Sequence, residues 1–579
     1  MKSKRNAGST NLLVASIAVA FGLATACGGG DDSGSGTSDG ATAGMSGAGA
    51  SSEAGSGASG KAGSGGKAGS DGKAGSGGEP GSSGNASTVG NGGSSAGRAG
   101  SSAGGSAGQA GNLGTVGGDE GLGGQGALGG SSSENAGAGG EAEPVDPNLV
   151  SLPYSAATFP PENPDSPAKD MLGKILFWDE QVGSDNTMAC GTCHRTGSGG
   201  SDPRAVNSTS AFRNPGDDAM FGTADDIHGS QGIKYCTGGD GAAVTYAAVP
   251  SNNTEGLNPL FGTNHQVTSR KAPTYLDAFV AANIFWDGRA TSAFKDPTMD
   301  PSDPNSVKIQ AGGALESQSV GPPMNPGEMA CDGRTWTSLI NKLKDTAHTV
   351  PLALAKNIPP DMVAAIANAP NYPALFALAF PNDPSPVNPV NFAFAIATHE
   401  RHLQSNQTPW DRFNQYLIDP STGDRNALNP AQIRGLTLFE GKAKCSACHT
   451  PPLFTDSQFH NLGFIAENDP GRQKIVASAA PHSVKTANLR NVGLRETQGL
   501  FHYGYGPGSS LENLVATYNN PPNIGDPAAD DGSLAGVITN LNLTADEQSD
   551  LIDFLRNGLT DPRVKNEVAP FDRPKLSTE

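Results

Sequence analysis

The chain has 579 residues, 80 of them glycine, and a formal net charge of −19 at pH 7. So acidic a chain argues against nucleic acid and against any anionic partner, because both would repel it. A basic partner protein, by contrast, would find a complementary surface.

Lys2, Lys4 and Arg5 precede an apolar run over residues 12–26. This is the pattern of a signal peptide occupying residues 1–27, since the run is too short and too rich in small residues for a membrane span. It closes on Leu23-Ala-Thr-Ala-Cys27, which resembles a bacterial lipobox with its leucine one place early. Cys27 is therefore the candidate for lipidation, and plain secretion with cleavage near Ala26 is the alternative. Both imply export to the periplasm or cell envelope, and the only membrane contact expected is a lipid anchor. Residues 28–143 are Gly, Ser and Ala with scattered charges, including the hexads Gly60-Lys-Ala-Gly-Ser-Gly and Gly66-Lys-Ala-Gly-Ser-Asp. Nothing there can be buried, so the segment reads as a disordered tether spanning roughly 60 Å end to end.

The remainder is long enough for two modest domains, placed at 144–425 and 426–579. Residues 168–178 read as a helix with Leu172, Ile175 and Leu176 on one face. Residues 200–260 read as a long loop, within which Asp217 to Asp226 offers hard oxygens for calcium or is a solvated acidic loop. Further helices are expected over 391–403 and 430–440, the second opening on a proline suited to the first turn. Over 544–557, Thr544 with Glu547 forms a capping box, Leu551, Phe554 and Leu555 make the apolar face, and Gly558 ends the helix. Strand signals are few. The class is mostly α, with two domains in tandem, long loops, and the tether in front.

Each domain carries a Cys-x-x-Cys-His motif, Cys190-Gly-Thr-Cys193-His194 and Cys445-Ser-Ala-Cys448-His449, so both read as cytochrome c-like haem domains. Two cysteines three apart on a helical turn can bond both vinyl groups of one porphyrin, and the adjacent histidine then reaches the iron. Structural zinc would want four clustered ligands, and each motif stands alone. A redox Cys-x-x-Cys is the other alternative. Cys236 and Cys331 are left over, and in an oxidising compartment two spare cysteines most simply form a disulfide.

Around the two motifs stand, in order, Leu172-Gly-Lys-Ile-Leu-Phe-Trp-Asp179, Ala272-Pro-Thr274, Phe285-Trp-Asp-Gly-Arg289, Leu315-Glu-Ser-Gln318 with Gly321-Pro322, and Pro326-Gly-Glu328-Met329. Phe459-His-Asn-Leu-Gly463, Leu489-Arg-Asn-Val492 and Leu559-Thr-Asp-Pro-Arg563 follow. With these segments, residues 171–574 resemble the bacterial di-haem cytochrome c peroxidase and MauG family. The resemblance implies two c-type haems. His194 would carry the haem that reacts with hydrogen peroxide, Glu328 would be the distal acid–base residue and Gln318 the distal glutamine. Trp286 would lie between the haems, and His449 would carry the electron-transfer haem. His265 is a candidate sixth ligand of the first haem at rest, although it stands closer to Pro273 than the family pattern places its distal histidine.

Three departures from the family stand out. Where the peroxidases place a methionine ligand to the second haem, this chain has Tyr518, the MauG-like arrangement. A phenolate is harder than a thioether and favours higher oxidation states. The asparagine that helps hold calcium between the haems is replaced by Lys271, and the matching carbonyls fall at Thr497 and Gly499. This makes calcium an open question and suggests an ammonium group in the ion's place. Thirdly, residues 294–315 carry an insertion, and the usual His-Asp-Gly reads His502-Tyr-Gly504.

The function expected is reduction of hydrogen peroxide with electrons from a donor such as a small cytochrome c or cupredoxin, passed through the second haem to the first. One alternative is a MauG-like oxidase that uses peroxide to oxidise a protein or organic substrate. The other is a non-catalytic di-haem electron carrier.

Overall fold

The computed structural model describes residues 146–579 apart from 205–212, 217, 224, 241–243, 247–259, 463–468, 505 and 522–538. The expected signal peptide, Cys27 and the tether lie outside the described residues, as does Asp217.

The first half runs through α1 (Pro167–Trp178), α2 (Cys190–Cys193), β1 (Gln231–Lys234), β2 (Cys236–Thr237), β3 (Thr245–Tyr246) and β4 (His265–Val267). It continues with β5 (Asn283–Ile284), β6 (Ala290–Thr291), β7 (Phe294–Lys295), β8 (Val307–Ile309) and α3 (Ala314–Ser319). Next come α4 (Trp336–Lys344), α5 (Pro360–Asn368), α6 (Tyr372–Ala379) and α7 (Pro389–His402). The second half holds α8 (Pro409–Ile418), α9 (Pro430–Glu440), β9 (Phe459–His460), β10 (Val484–Lys485), α10 (Val492–Arg495), α11 (Leu511–Asn519), α12 (Ala545–Asp553) and α13 (Pro562–Lys565). The molecule is mostly helical, and its described strands pair as antiparallel two-stranded sheets. The inserted segment is one of these: β7 and β8 form a hairpin whose Phe294 and Ile309 are fully buried. No single helix among the described residues is long and apolar enough to cross a membrane.

Local chemistry explains where the principal helices begin. Asn388, Thr408 and Asn429 each cap the helix that follows with a side-chain oxygen, and each is followed by proline at the first helical position. Thr544 and Glu547 form the expected capping box.

Two large hydrophobic cores organise the fold. In the first, α1 packs along α7, and Gly173 makes the approach close: a Cβ there would stand 2.0 Å from the carbonyl oxygen of Ala395. In the second, α9 packs along α12 by the same device, with Gly435 against the carbonyl of Asp550 at 2.2 Å. Each helix leads into a Cys-x-x-Cys-His motif, so these contacts place both motifs. The cores do not divide the chain at a single point. Leu149, Trp410 and Phe413 belong to the second core, whereas Val564, Phe571 and Leu576 near the C-terminus belong to the first.

Candidate active site

The first motif lies on α2, where Gly191 rests on the face of Trp178, and a Cβ at that position would fall 2.2 Å from the indole. His194 has Nδ1 3.2 Å from the carbonyl oxygen of Gly200, leaving Nε2 as the outward nitrogen. It borders a cavity of about 580 Å³ whose walls include Cys193, Gln318, Glu328, Trp286 and Glu400. Phe177 and Tyr275 flank the imidazole, with centroids at 6.5 and 5.7 Å.

Glu328 is half-buried on a loop held from several sides. Its carbonyl accepts from the Ile233 amide at 3.0 Å, and Asn325 Nδ2 donates to its Oε1 at 2.7 Å. Burial raises its pKa above the ordinary carboxylate value, opposed by the Arg289 guanidinium. The disulfide Cys236–Cys331 closes just beyond, joining β2 to the residues that follow Glu328. Gln318 reaches the same cavity from the last turn of α3. Three of the expected first-site residues, His194, Glu328 and Gln318, thus share one cavity. His265 is not brought to its wall: on β4, its Nδ1 lies 2.8 Å from the Gly232 carbonyl oxygen.

A second cavity of about 230 Å³ is bordered by Cys445, Cys448, His449 and Tyr518. His449 has Nδ1 3.0 Å from the carbonyl oxygen of Phe454, the same arrangement as His194. Tyr518 arrives from α11, and burial, reinforced by the two neighbouring thiols, pushes its phenol well above the usual range. Only a strong Lewis acid would convert it to phenolate there.

Trp286 lines both cavities, together with Lys271 and Ala272-Pro-Thr274. The indole Nε1 donates to the Lys271 carbonyl at 2.8 Å, and the Trp286 carbonyl accepts from the Lys485 amide at 2.9 Å. Lys271 is 3% exposed. Its ammonium donates to the carbonyl oxygens of Asp202, at 3.2 Å, and Gln498. Gln498 sits between Thr497 and Gly499, so the ammonium reaches the loop at which calcium-binding carbonyls were expected. Burial lowers the Lys271 pKa to about 8. In the acidic loop, the Asp226 carboxylate is bonded to Arg213 and the Gly222 amide, and that of Asp225 to Thr223 and the Asp218 amide.

The residues present fit two covalently held haems. Each motif offers a pair of free thiols beside a histidine whose Nδ1 is tied to a carbonyl, which orients Nε2 toward a metal. The second cavity also has buried donors with no partner, Arg495 Nε and Asn488 Nδ2, as expected of a wall facing an anionic group. Several wall residues went unread in the sequence. Glu400 on α7 is buried with Oε2 unpartnered, and burial raises its pKa to about 8. Lys485 and Arg495 gave no sequence signal, and Arg289 only its place in the Phe285–Arg289 segment.

The chain is similar to several known proteins. Residues 167–416 match the family described as di-haem cytochrome c peroxidase. The methylamine utilization protein MauG of Methylorubrum extorquens is 26% identical over 420 residues, covering 72% of this chain and 84% of the relative. The cytochrome c551 peroxidase of Nitrosomonas europaea is 25% identical over 425 residues, covering 72% and 86%. Among solved structures, a MauG-like protein associated with microbial copper homeostasis aligns at a TM-score of 0.45 with 21% identity, covering 72% of this chain and 97% of that one.

Proposed function

We propose that this chain, whose residues 167–416 match the di-haem cytochrome c peroxidase family, is an oxidoreductase with two c-type haems that reduces hydrogen peroxide in the cavity of His194. Electrons would enter through the cavity of His449. The observation that carries this reading is the shared wall: Glu328 and Gln318 border the first cavity, Tyr518 the second, and Trp286 both. The overall reaction consumes one peroxide, two electrons and two protons and yields two waters.

When bound, the haems supply the redox chemistry and an iron to which peroxide can bind. Glu328 takes the proton from one peroxide oxygen and returns it to the departing oxygen, a task for a carboxyl held above its usual pKa. Gln318 offers its amide to orient the peroxide. Asn325 keeps the Glu328 carboxylate in place. Trp286, fixed at both its ring nitrogen and its carbonyl, relays electrons across the wall. The donor is a small redox protein of basic surface, suited to the acidic chain. Export to the cell envelope, with a lipid anchor at Cys27, completes the proposal.

The test is an EPR spectrum of the fully ferric, haem-loaded protein before and after one equivalent of peroxide. One high-spin and one low-spin signal are expected, with the high-spin signal lost on peroxide. Two low-spin signals indifferent to peroxide would favour an electron carrier. A second reading, a MauG-like oxidase acting on a protein or organic substrate, is favoured by Tyr518 in the wall with His449. Rapid turnover with reduced cytochrome c would support the peroxidase over it.

A further inference from the structure

The two cavities differ in charge. The wall of the first carries Asp225, Asp287, Glu328, Glu400 and Asp469 beside its cations. Among the described residues, the wall of the second carries Lys271, Lys444, Lys485 and Arg495, and a single carboxylate, Asp277. That carboxylate is already engaged by Tyr154 and by the amide and hydroxyl of Ser405. In a chain with a net charge of −19, a cavity wall so rich in cations and so poor in available carboxylate implies an anionic occupant.

Besides Lys271, whose ammonium is held by two carbonyls, two of these cations make no ion pair among the described residues. Arg495 is 7% exposed. Its Nη2 donates to the carbonyls of Asn488 and Arg490, and its Nε has no partner. Asn488 Nδ2, in the same wall, is also unpartnered. Lys485 makes one long bond from Nζ, 3.3 Å to the Asn283 carbonyl, and burial lowers its pKa to about 8. Neither cation borders the first cavity.

We propose that Lys485 and Arg495, assisted by Asn488, form the binding site for the propionate carboxylates of the second haem. The proposal rests on the di-haem reading above. A guanidinium and an ammonium suit two carboxylates at one porphyrin edge, and the unused Arg495 and Asn488 donors provide the hydrogen bonds. Lys485 is bonded through its backbone to Trp286. Lys485 thereby belongs to the segment bonded to the residue that lines both cavities. Lys485 and Arg495 act as positioning residues that set the direction in which the second haem presents its edge.

The experiment is spectroelectrochemical titration of the haem-loaded protein over a range of pH, with the two haems counted by pyridine haemochromogen. In K485Q the midpoint potential of the second haem should shift downward, because loss of a nearby cation favours the oxidised, more positive haem. It should also become pH-dependent near neutrality, as a propionate without its cation titrates. K485R should restore the wild-type potential. R495Q should shift it in the same direction, with K485Q as the safeguard should R495Q not fold. A di-haem K485Q protein whose second potential is unchanged at every pH overturns this assignment and leaves the peroxidase reading intact. A wild-type chain that loads one haem overturns both.

Discussion

The indole nitrogen of Trp286 donates to the carbonyl oxygen of Lys271 at 2.8 Å, and the ammonium of that lysine in turn holds the carbonyls of Asp202 and Gln498. One residue therefore fixes the tryptophan between the cavities and ties together the loops that follow each haem motif.

Lys271 performs the bridging task of a bound cation, so chelators should leave activity and unfolding unchanged. K271N should cost about 1–3 kcal/mol by leaving two buried carbonyls short of a donor, and calcium should partly restore its melting temperature. Titration gives a second check. With its pKa lowered from 10.5 to about 8, the folded state holds fewer protons than the unfolded state between those values. Wild-type stability should rise with pH across that window, and this contribution should be absent in K271M. Chemical denaturation from pH 7 to 10.5 measures it.

Glu328 must be deprotonated to act as a base. Its raised pKa places the acid limb of kcat/KM at higher pH than an ordinary carboxylate with a pKa of 4.5 would give, and activity falls as pH drops through it. E328Q should lower peroxide turnover by roughly 10²–10⁴-fold with both haem absorption spectra unaltered. Steady-state assays from pH 4 to 8 check both statements.

Tyr518 and His449 border the same cavity. Replacing the phenol with a thioether, Y518M, should raise the potential of the second haem, since thioether ligation favours the reduced iron. Y518F should instead change the spin state of that haem while the EPR signal of the first is preserved. Unchanged spectra in both variants would place Tyr518 outside the coordination sphere.

The disulfide Cys236–Cys331 closes a loop with a sequence separation of 95. The double variant C236S/C331S should lose about 2–5 kcal/mol of stability. Because Asp332 and Glu328 are also bonded to Cys236 and Ile233 through the backbone, loosening here should lower kcat for peroxide more than it raises KM. Urea unfolding and steady-state kinetics separate the two effects.

Much of the helical framework was legible in the sequence. The helix over 430–440 and the capping box at Thr544 and Glu547 are found as read, because caps, prolines and apolar periodicity act over a few residues. The short strands were not legible, since two or three residues show no alternation, and the insertion accordingly passed unrecognised as the hairpin β7–β8. His265 was singled out by its place in the chain, yet its ring is tied to the Gly232 carbonyl rather than set in the cavity wall.

By itself the sequence determined the chemistry that could be mounted: two thiol pairs, each with its histidine, a carboxylate and an amide in recognisable segments, and a tyrosine in place of a thioether. These are local, carried by residue type and spacing. Tertiary structure alone decided that Trp286 faces both cavities, that Lys271 reaches carbonyls 69 and 227 residues away, that Cys236 meets Cys331, and that Lys485 and Arg495 turn unpaired cations into the second cavity. Those relationships come from chain segments brought together by core packing, and contacts across so long a separation leave no periodic trace in the order of the residues.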